Sequence, residues 1–385
     1  MPFDANAGRK KAPSGTTTPL VINGRFLSQS LTGVQRYARE LVLAMDKHLA
    51  ASPGRFGPVT LHLPPDAAGL PGLAAIAQRT VGRRRGQAWE QLDLPRSARG
   101  ARLLSLGNAA PFLHPRQVVV LHDAGVYAVP ESYTPAFRLW YRLQFGWLAR
   151  NAERIVTVSA FSAGELARHA GVRRDRLAVV PNAAEHLDGI QEDPSVLSRH
   201  GLAPQGYVLA IGSAKPHKNL AAVAAAVGML PEPRPRLAIA GNVNLRGASL
   251  HDLPEDAVAL GGVTEEELKA LYRHALCLAF PSYYEGFGIP PLEAMACGCP
   301  AAVAQTSSLP EVCGAAALYC DPHDPATLAA AIRRLIEEPG LRERLVGRGL
   351  NRSREFTWAS SAERLLDLLE GLDRSPGSRA LGAAT

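Results

Sequence analysis

Cysteine, long apolar runs and metal-binding spacings are all scarce in this 385-residue chain, and each scarcity excludes a class of protein. The five cysteines, Cys277, Cys297, Cys299, Cys313 and Cys320, all lie in the C-terminal half, with no CxxC spacing among them. An odd count does not make a disulfide framework, so they read as small buried thiols rather than a zinc site or a cross-linked scaffold. No apolar run reaches the roughly 18 residues that a membrane-spanning helix needs. The opening MPFDANAGRKKAPSGTTTP has no apolar h-region, so no signal peptide is expected and the cytoplasm is the expected compartment. No repeat of solenoid length and no G-x-G-x-x-G after a strand-like run occur. No D-x-D occurs either, so neither a metal nor another cofactor is expected.

What is present is enough for two cores. At 46% hydrophobic residues, a chain of this length is expected to fold as two globular domains. The formal charge is +7, and its placement matters more than its size. Between Arg79 and Arg102 seven arginines (79, 83, 84, 85, 96, 99 and 102) face only Glu90 and Asp93, an excess of five. Such a stretch is either a solvated loop or a patch for an anionic partner. It lacks the interleaving of several aromatic residues, holding Trp89 alone, which argues against nucleic acid.

Along the chain, strand-like and helix-like runs alternate in two series, the pattern of an α/β fold with two doubly wound, Rossmann-like domains. Residues 1–18 are polar and basic and read as a disordered tail. The first series, 19–195, includes Pro19–Gly24, Val59–Leu63, Arg102–Leu106, Gln117–Asp123 and Arg154–Ser159 as strands. Gly33 opens a helix marked by Val34, Tyr37 and Leu41, and so stands at an anion-ready helix N-terminus. A helix-rich segment covers Pro135–Arg150. In Ser159–Gly171, Ser162 with Glu165 three residues on reads as a capping box. Asp193–Gln205 reads as an interdomain linker. The second series, 205–355, runs from Tyr207–Ser213 through Arg236–Asn242, Thr264–Ala275 and Pro300–Gln305 to Pro325–Glu338. A last helix near Ala359–Gly371 carries Leu365, Leu366 and Leu369, which need a surface to cover; residues 373–385 read as a loose tail.

One stretch organises the rest. The apolar run Ala275–Phe280 is followed by PSYYEGFGIPPLEAMACGCP, Pro281–Pro300. It reads as a buried strand, a loop holding Gly286 and Gly288 about Phe287, and a helix with prolines in its first turn, where proline is tolerated. Backbone amides of Gly286–Ile289 and the helix dipole suit a phosphate, whereas the carboxylates of Glu285 and Glu293 suit hydroxyl groups. Two such carboxylates around a phosphate cradle describe a nucleotide-sugar site.

The seven-residue spacing of Glu285 and Glu293 resembles the E-x7-E motif of retaining GT-B glycosyltransferases, most closely family 4. TGVQRY, WEQLDLP, TVSAFSAGEL, VVPN and IGSAKPHKNL extend the resemblance over about residues 19–372. It implies a GT-B fold with the active site in the interdomain cleft, an acceptor-binding N-terminal domain completed by the helix at 356–372, and a donor-binding domain over 205–355. It implies that Glu285 meets the donor sugar, Glu293 the ribose, Lys218 the diphosphate, and that Gly33 approaches the same diphosphate. Gly286, Phe287, Gly288 and Ile289 form the cradle, and His122 lies near the donor sugar, donating to a hydroxyl or orienting the acceptor. Family members carry an arginine near Ser213; here it is absent, and Lys215 or His217 is the candidate replacement.

The implied activity is a metal-independent hexosyl transfer with retention, mannose from GDP-mannose being the expected pair, to a polysaccharide or lipid-linked acceptor. Arg83, Arg84 and Arg85 would meet an anionic acceptor or the inner face of the membrane if they meet anything. The alternatives are an epimerase of the same fold and a sugar-nucleotide binder without turnover. Base, sugar, acceptor, linkage and oligomeric state are not legible in the sequence.

Overall fold

A computed structural model describes residues 18–212, 215–241 and 254–374. Two parallel sheets carry the fold. The first has strands β1 (Leu20–Asn23), β2 (Val59–Leu63), β3 (Ala77–Thr80), β4 (Arg102–Ser105), β5 (Gln117–Val120), β6 (Arg154–Thr157) and β7 (Leu177–Val179), in the order β3-β2-β1-β4-β5-β6-β7. The second has β8 (Tyr207–Ile211), β9 (Arg236–Ala240), β10 (Val258–Gly261), β11 (Cys277–Phe280), β12 (Ala301–Ala304) and β13 (Ala317–Cys320), ordered β10-β9-β8-β11-β12-β13. The central strands read as near-continuous apolar runs because helices cover both faces: every residue of β1, β5, β11 and β12 is buried. In each sheet the strand order reverses once, beside β1 in the first and β8 in the second, and that is where open α/β sheets leave a crevice.

The helix Gly33–Ala51 lays Tyr37, Leu41 and Met45 on the first sheet. The last helix, Trp358–Arg374, packs on it and joins the same core through Leu365, Leu366 and Leu369. Burying three such leucines stabilises the crossing by about 2 kcal/mol each. It runs further than its apolar stripe indicates, because Asp373 pairs with the buried Arg102 at 2.6 Å, so a tail starting at Asp373 is not what is found.

Other differences from the sequence reading have local causes. The helix Ala160–Ala170 is capped by Ser159, whose hydroxyl accepts from the Ser162 amide at 3.0 Å, and the expected capping box at Ser162 and Glu165 does not form. The true box is Thr264 with Glu267. The polar linker holds a short helix, Ser195–Arg199, whose Val196 and Leu197 are buried in the second core. The arginine-rich stretch is a loop only in part: Arg79 lies on β3 and helical turns fill Gly86–Ser97, while Arg83, Arg84 and Arg85 lie in the exposed loop between them. The expected tail up to residue 17 and the segment after Arg374 lie outside the described residues. Among the described residues no helix is long and apolar enough to cross a membrane.

Candidate active site

The site is assembled where the two crevices meet. Beyond β11 the loop Pro281–Gly288 is pinned from three sides. Ser307 Oγ accepts from the Glu285 amide at 3.2 Å, and Ser308 Oγ donates to the Glu285 carbonyl at 2.9 Å. Across the cleft, the hydroxyls of Ser159 and Ser162 donate to the Gly286 carbonyl at 2.6 and 2.9 Å. Gly286 is required there, since a Cβ would come within 2.9 Å of the His122 carbonyl oxygen and of Asp123 Cβ. Gly288 adopts φ +92°, the left-handed region, and starts the helix Ile289–Ala296 with prolines in its first turn. Gly33 opens the facing helix, and a Cβ on it would lie 3.2 Å from Ile289 Cδ1. Two helix N-termini therefore converge, both presenting positive dipole to an anion, with free amides from the Gly33 turn and from Ile289, since Pro290 and Pro291 have no N–H.

Lys218 follows β8 and Glu285 follows β11, so the two flank the reversal point of the second sheet. Their side chains form an ion pair, Nζ to Oε1 at 2.7 Å, and both are largely buried. Asn219, in left-handed conformation, locks the end of the lysine turn by donating to the carbonyls of Pro281 and Pro322. Glu293 is buried and engaged on both oxygens, by His186 Nε2 at 3.0 Å and the Tyr272 hydroxyl at 2.9 Å. Burial pushes its carboxyl up, but the hydrogen bond and charge of His186, the Arg36 guanidinium and the Tyr272 hydroxyl outweigh that and hold it below the usual range.

His122 lies at the C-terminal end of β5, buried and edge-on to Tyr37 at 4.8 Å between ring centroids. Burial pulls its imidazole down to about 4, despite the Leu106 carbonyl 3.0 Å from Nε2. A neutral ring facing a carbonyl carries its proton on Nε2, leaving Nδ1 as an acceptor. A ring held this way can orient an acceptor hydroxyl through Nδ1 rather than donate to it from Nε2. His217 is also held neutral, down to about 4, by burial and by the charge of Lys218, and its Nδ1 lies 2.7 Å from Ser132 Oγ. A neutral His217 supplies no positive charge at that place, and the other candidate, Lys215, is set 5.1 Å above the Tyr133 ring. Ser213 lies outside the described residues.

Of the expected cradle, Phe287 is buried and packs edge-on against Phe356 at 5.5 Å, so its backbone alone is left for a ligand. Arg84 is tied to Asp93 at 2.5 Å, and the same carboxylate accepts from the amides of Arg83 and Arg84. Arg102 is interior, bonded to Glu153 and Asp373, so the patch is smaller than the sequence suggests. Several site residues carry no signal at sequence level. His186 is separated from Glu293 by 107 positions. Glu311 caps the helix Ala160–Ala170 from the other unit, accepting from the Ala160 and Phe161 amides at 2.8 and 3.0 Å. Asp123, half-buried beside Gly286, has its carboxyl pushed up by desolvation, against the Gly125 amide that bonds it, with Glu285 adding repulsion. Its place at a strand end was the one available hint.

Comparisons with known proteins accord with this geometry. Residues 31–186 match Glycosyltransferase Family 4, and residues 199–352 match Glycosyl transferases group 1. O-antigen chain mannosyltransferase B of Escherichia coli is 36% identical over 257 residues, 63% of this chain and 67% of that protein. The serotype-specific mannosyltransferase WbdA of the same species is 28% identical over 276 residues, 66% of this chain but only 33% of its own length. Among solved structures, Anabaena Alr3699/HepE in complex with UDP-glucose superposes with a TM-score of 0.71 at 17% identity, covering 92% of this chain and 100% of that one. WaaG, a glycosyltransferase involved in lipopolysaccharide biosynthesis, gives 0.66 at 16% identity, with 92% and 100% covered. The chain belongs to the GT-B glycosyltransferases of family 4, group 1, and within them is similar to mannosyltransferases.

Proposed function

We propose that this chain transfers a hexose, mannose in our reading, from a nucleoside-diphosphate donor such as GDP-mannose to a saccharide or lipid-linked acceptor, with retention and without a metal. The observation that carries the reading is the Lys218–Glu285 pair, 2.7 Å apart, beside the Gly286–Ile289 loop and two facing helix N-termini. A diphosphate entering there draws the ammonium of Lys218 from Glu285, which frees the carboxylate for sugar hydroxyls. The amides of Gly286–Ile289 and the dipoles then stabilise the leaving diphosphate as the anomeric carbon becomes cationic. Glu293, kept ionised by His186, accepts from the ribose. His122 accepts a hydrogen bond from a hydroxyl through Nδ1 and so orients it, without taking its proton. The acceptor attacks from the face the diphosphate leaves, and the departing phosphate takes its proton.

In this reading residues 19–195 with 356–372 hold the acceptor and 205–355 the donor. The names of the O-antigen mannosyltransferases support mannose as the sugar. The reading places the enzyme in the cytoplasm, on the inner membrane face where lipid-linked acceptors reside. The test is a panel of nucleotide sugars incubated with the full chain in excess EDTA, followed by diphosphate release and the anomeric configuration of the product. Slow release from GDP-mannose and an α product from an α donor are expected. Saturable binding without release indicates a non-catalytic binder, and an altered free nucleotide sugar an epimerase; either result overturns the proposal.

A further inference from the structure

The donor side of the cleft is short of positive charge for a diphosphate. Lys218 is shared with Glu285, and burial keeps His217 neutral. Arg36 stands on the opposite wall. It lies one turn after Gly33 in the helix Gly33–Ala51, hence on the face that meets Ile289. The Cα–Cβ bonds of a helix tilt towards its N-terminus, so this side chain starts back towards that meeting point. Its guanidinium is mostly buried, 15% exposed, and bonds to Glu265 of the other unit at 2.5 Å. Its charge also reaches Glu293, whose carboxyl it helps to hold down. Arg36 thus borders both the proposed ribose partner and the phosphate cradle. Its present partner is one that can be given up. Glu265 is 36% exposed and opens the helix Glu265–His274, whose dipole supports its charge without Arg36. Arg36, by contrast, needs a partner at all times, because a buried guanidinium without a counter-charge is costly.

We propose that Arg36 is a donor-binding residue supplied by the opposite unit, and that it exchanges Glu265 for an oxygen of the donor diphosphate. The inference rests on the transferase reading above and deepens it: the diphosphate clamp draws on both units and is complete only where they meet. A planar guanidinium offers paired donors to phosphate oxygens, which the ammonium of Lys218 does not. Arg36–Glu265 and Lys218–Glu285 are then two switches of one kind, a carboxylate holding each cation until the diphosphate replaces it. A plain clasp between the units is the other use of such a pair, and charge substitutions separate the two.

The test is calorimetric titration of the full chain with GDP and with guanosine, in wild type, Arg36→Gln, Arg36→Lys, Glu265→Gln and the double variant Arg36→Gln with Glu265→Gln. Arg36→Gln is expected to weaken GDP binding about tenfold, the scale of one charged hydrogen bond, and to leave guanosine binding unchanged. Arg36→Lys should recover part of the loss. Glu265→Gln should tighten GDP binding, and that gain should vanish in the double variant. A clasp gives the opposite sign at Glu265: both single substitutions weaken GDP binding, since either loosens the cleft, and that result overturns the proposal. So does an unaltered GDP affinity in Arg36→Gln, or a guanosine affinity that falls as far as that for GDP. A Glu265→Gln gain that persists without Arg36 is a field effect alone and overturns it too. Absence of GDP binding from wild type overturns the donor reading and the role of Arg36 with it. Intact GDP binding that is indifferent to Arg36 overturns the role of Arg36 alone.

Discussion

Lys218 and Glu293 hold charge in two different ways, and their substitutions separate the two. Lys218 shares one bond with Glu285 and is free to exchange it for a phosphate. Lys218→Ala should weaken nucleoside diphosphate binding by roughly 1.5–3 kcal/mol, the cost of a lost charged hydrogen bond, and cut turnover with it. Wild-type affinity by calorimetry would remove the lysine from the diphosphate. Glu293 is held by His186 and Tyr272 from within the fold. Glu293→Gln keeps the shape but loses the charge, and donor affinity is expected to fall by a similar roughly 1.5–3 kcal/mol. His186→Ala should reproduce part of that loss, since the imidazole helps keep the carboxylate ionised. An intact donor affinity in a folded Glu293→Gln chain would show that the carboxylate serves only the packing around it.

The Gly286 loop and the arginine stretch give the corresponding contrasts between whole segments. The loop is clamped by Ser159 and Ser162 and lies on His122 and Asp123 without room for a side chain. Gly286→Ala must push the loop away from β5, and turnover is expected to fall by at least tenfold while thermal unfolding shifts by only a few degrees. A variant as active as wild type would mean that the two units are free to separate at this point. In the arginine stretch, Asp93 neutralises part of the charge and orders the turn, through backbone and guanidinium bonds to Arg83 and Arg84. Changing Arg83, Arg84 and Arg85 to Gln together should reduce co-sedimentation with anionic vesicles at low salt and raise the acceptor KM, leaving donor hydrolysis intact. Identical sedimentation and KM would leave the stretch as a solvated edge.

The molecule as a whole carries a pH dependence set by its buried histidines. His62, His122 and His217 are each drawn by burial to about 4 from 6.5, so the folded chain keeps them neutral where the unfolded chain protonates them. Their lowered values contribute stability that is present above 6.5 and lost as the pH falls towards 4. Glu90 and Asp123, raised by burial, act in the opposite sense, adding stability at low pH that disappears as the pH rises through their folded values. The histidine share is isolated by difference: His122→Gln should lose less of its urea midpoint between pH 7 and pH 5 than wild type does. Parallel losses in the two chains would show that His122 is not held neutral.

The sequence by itself determined the alternation of buried strands and amphipathic helices, and with it two parallel sheets. It also determined the strand–loop–helix around Glu285, because these depend on neighbours within a few residues. Where the pattern was faint, the elements escaped it. β3 is AQRT with every residue exposed, so it carries no apolar alternation, and the helix Leu341–Ser353 gave no motif. Ser162 and Glu165 had a capping-box spacing, yet the extended backbone at Ser159 made that residue the cap instead. Tertiary structure alone decided what each charged group does. The pairing of Glu293 with His186, the capping of one unit's helix by Glu311 of the other, and the burial that keeps His122 neutral all join positions far apart in the chain. Hydrogen-bond reach is about 3 Å, and sequence separation says nothing of it until the chain has folded.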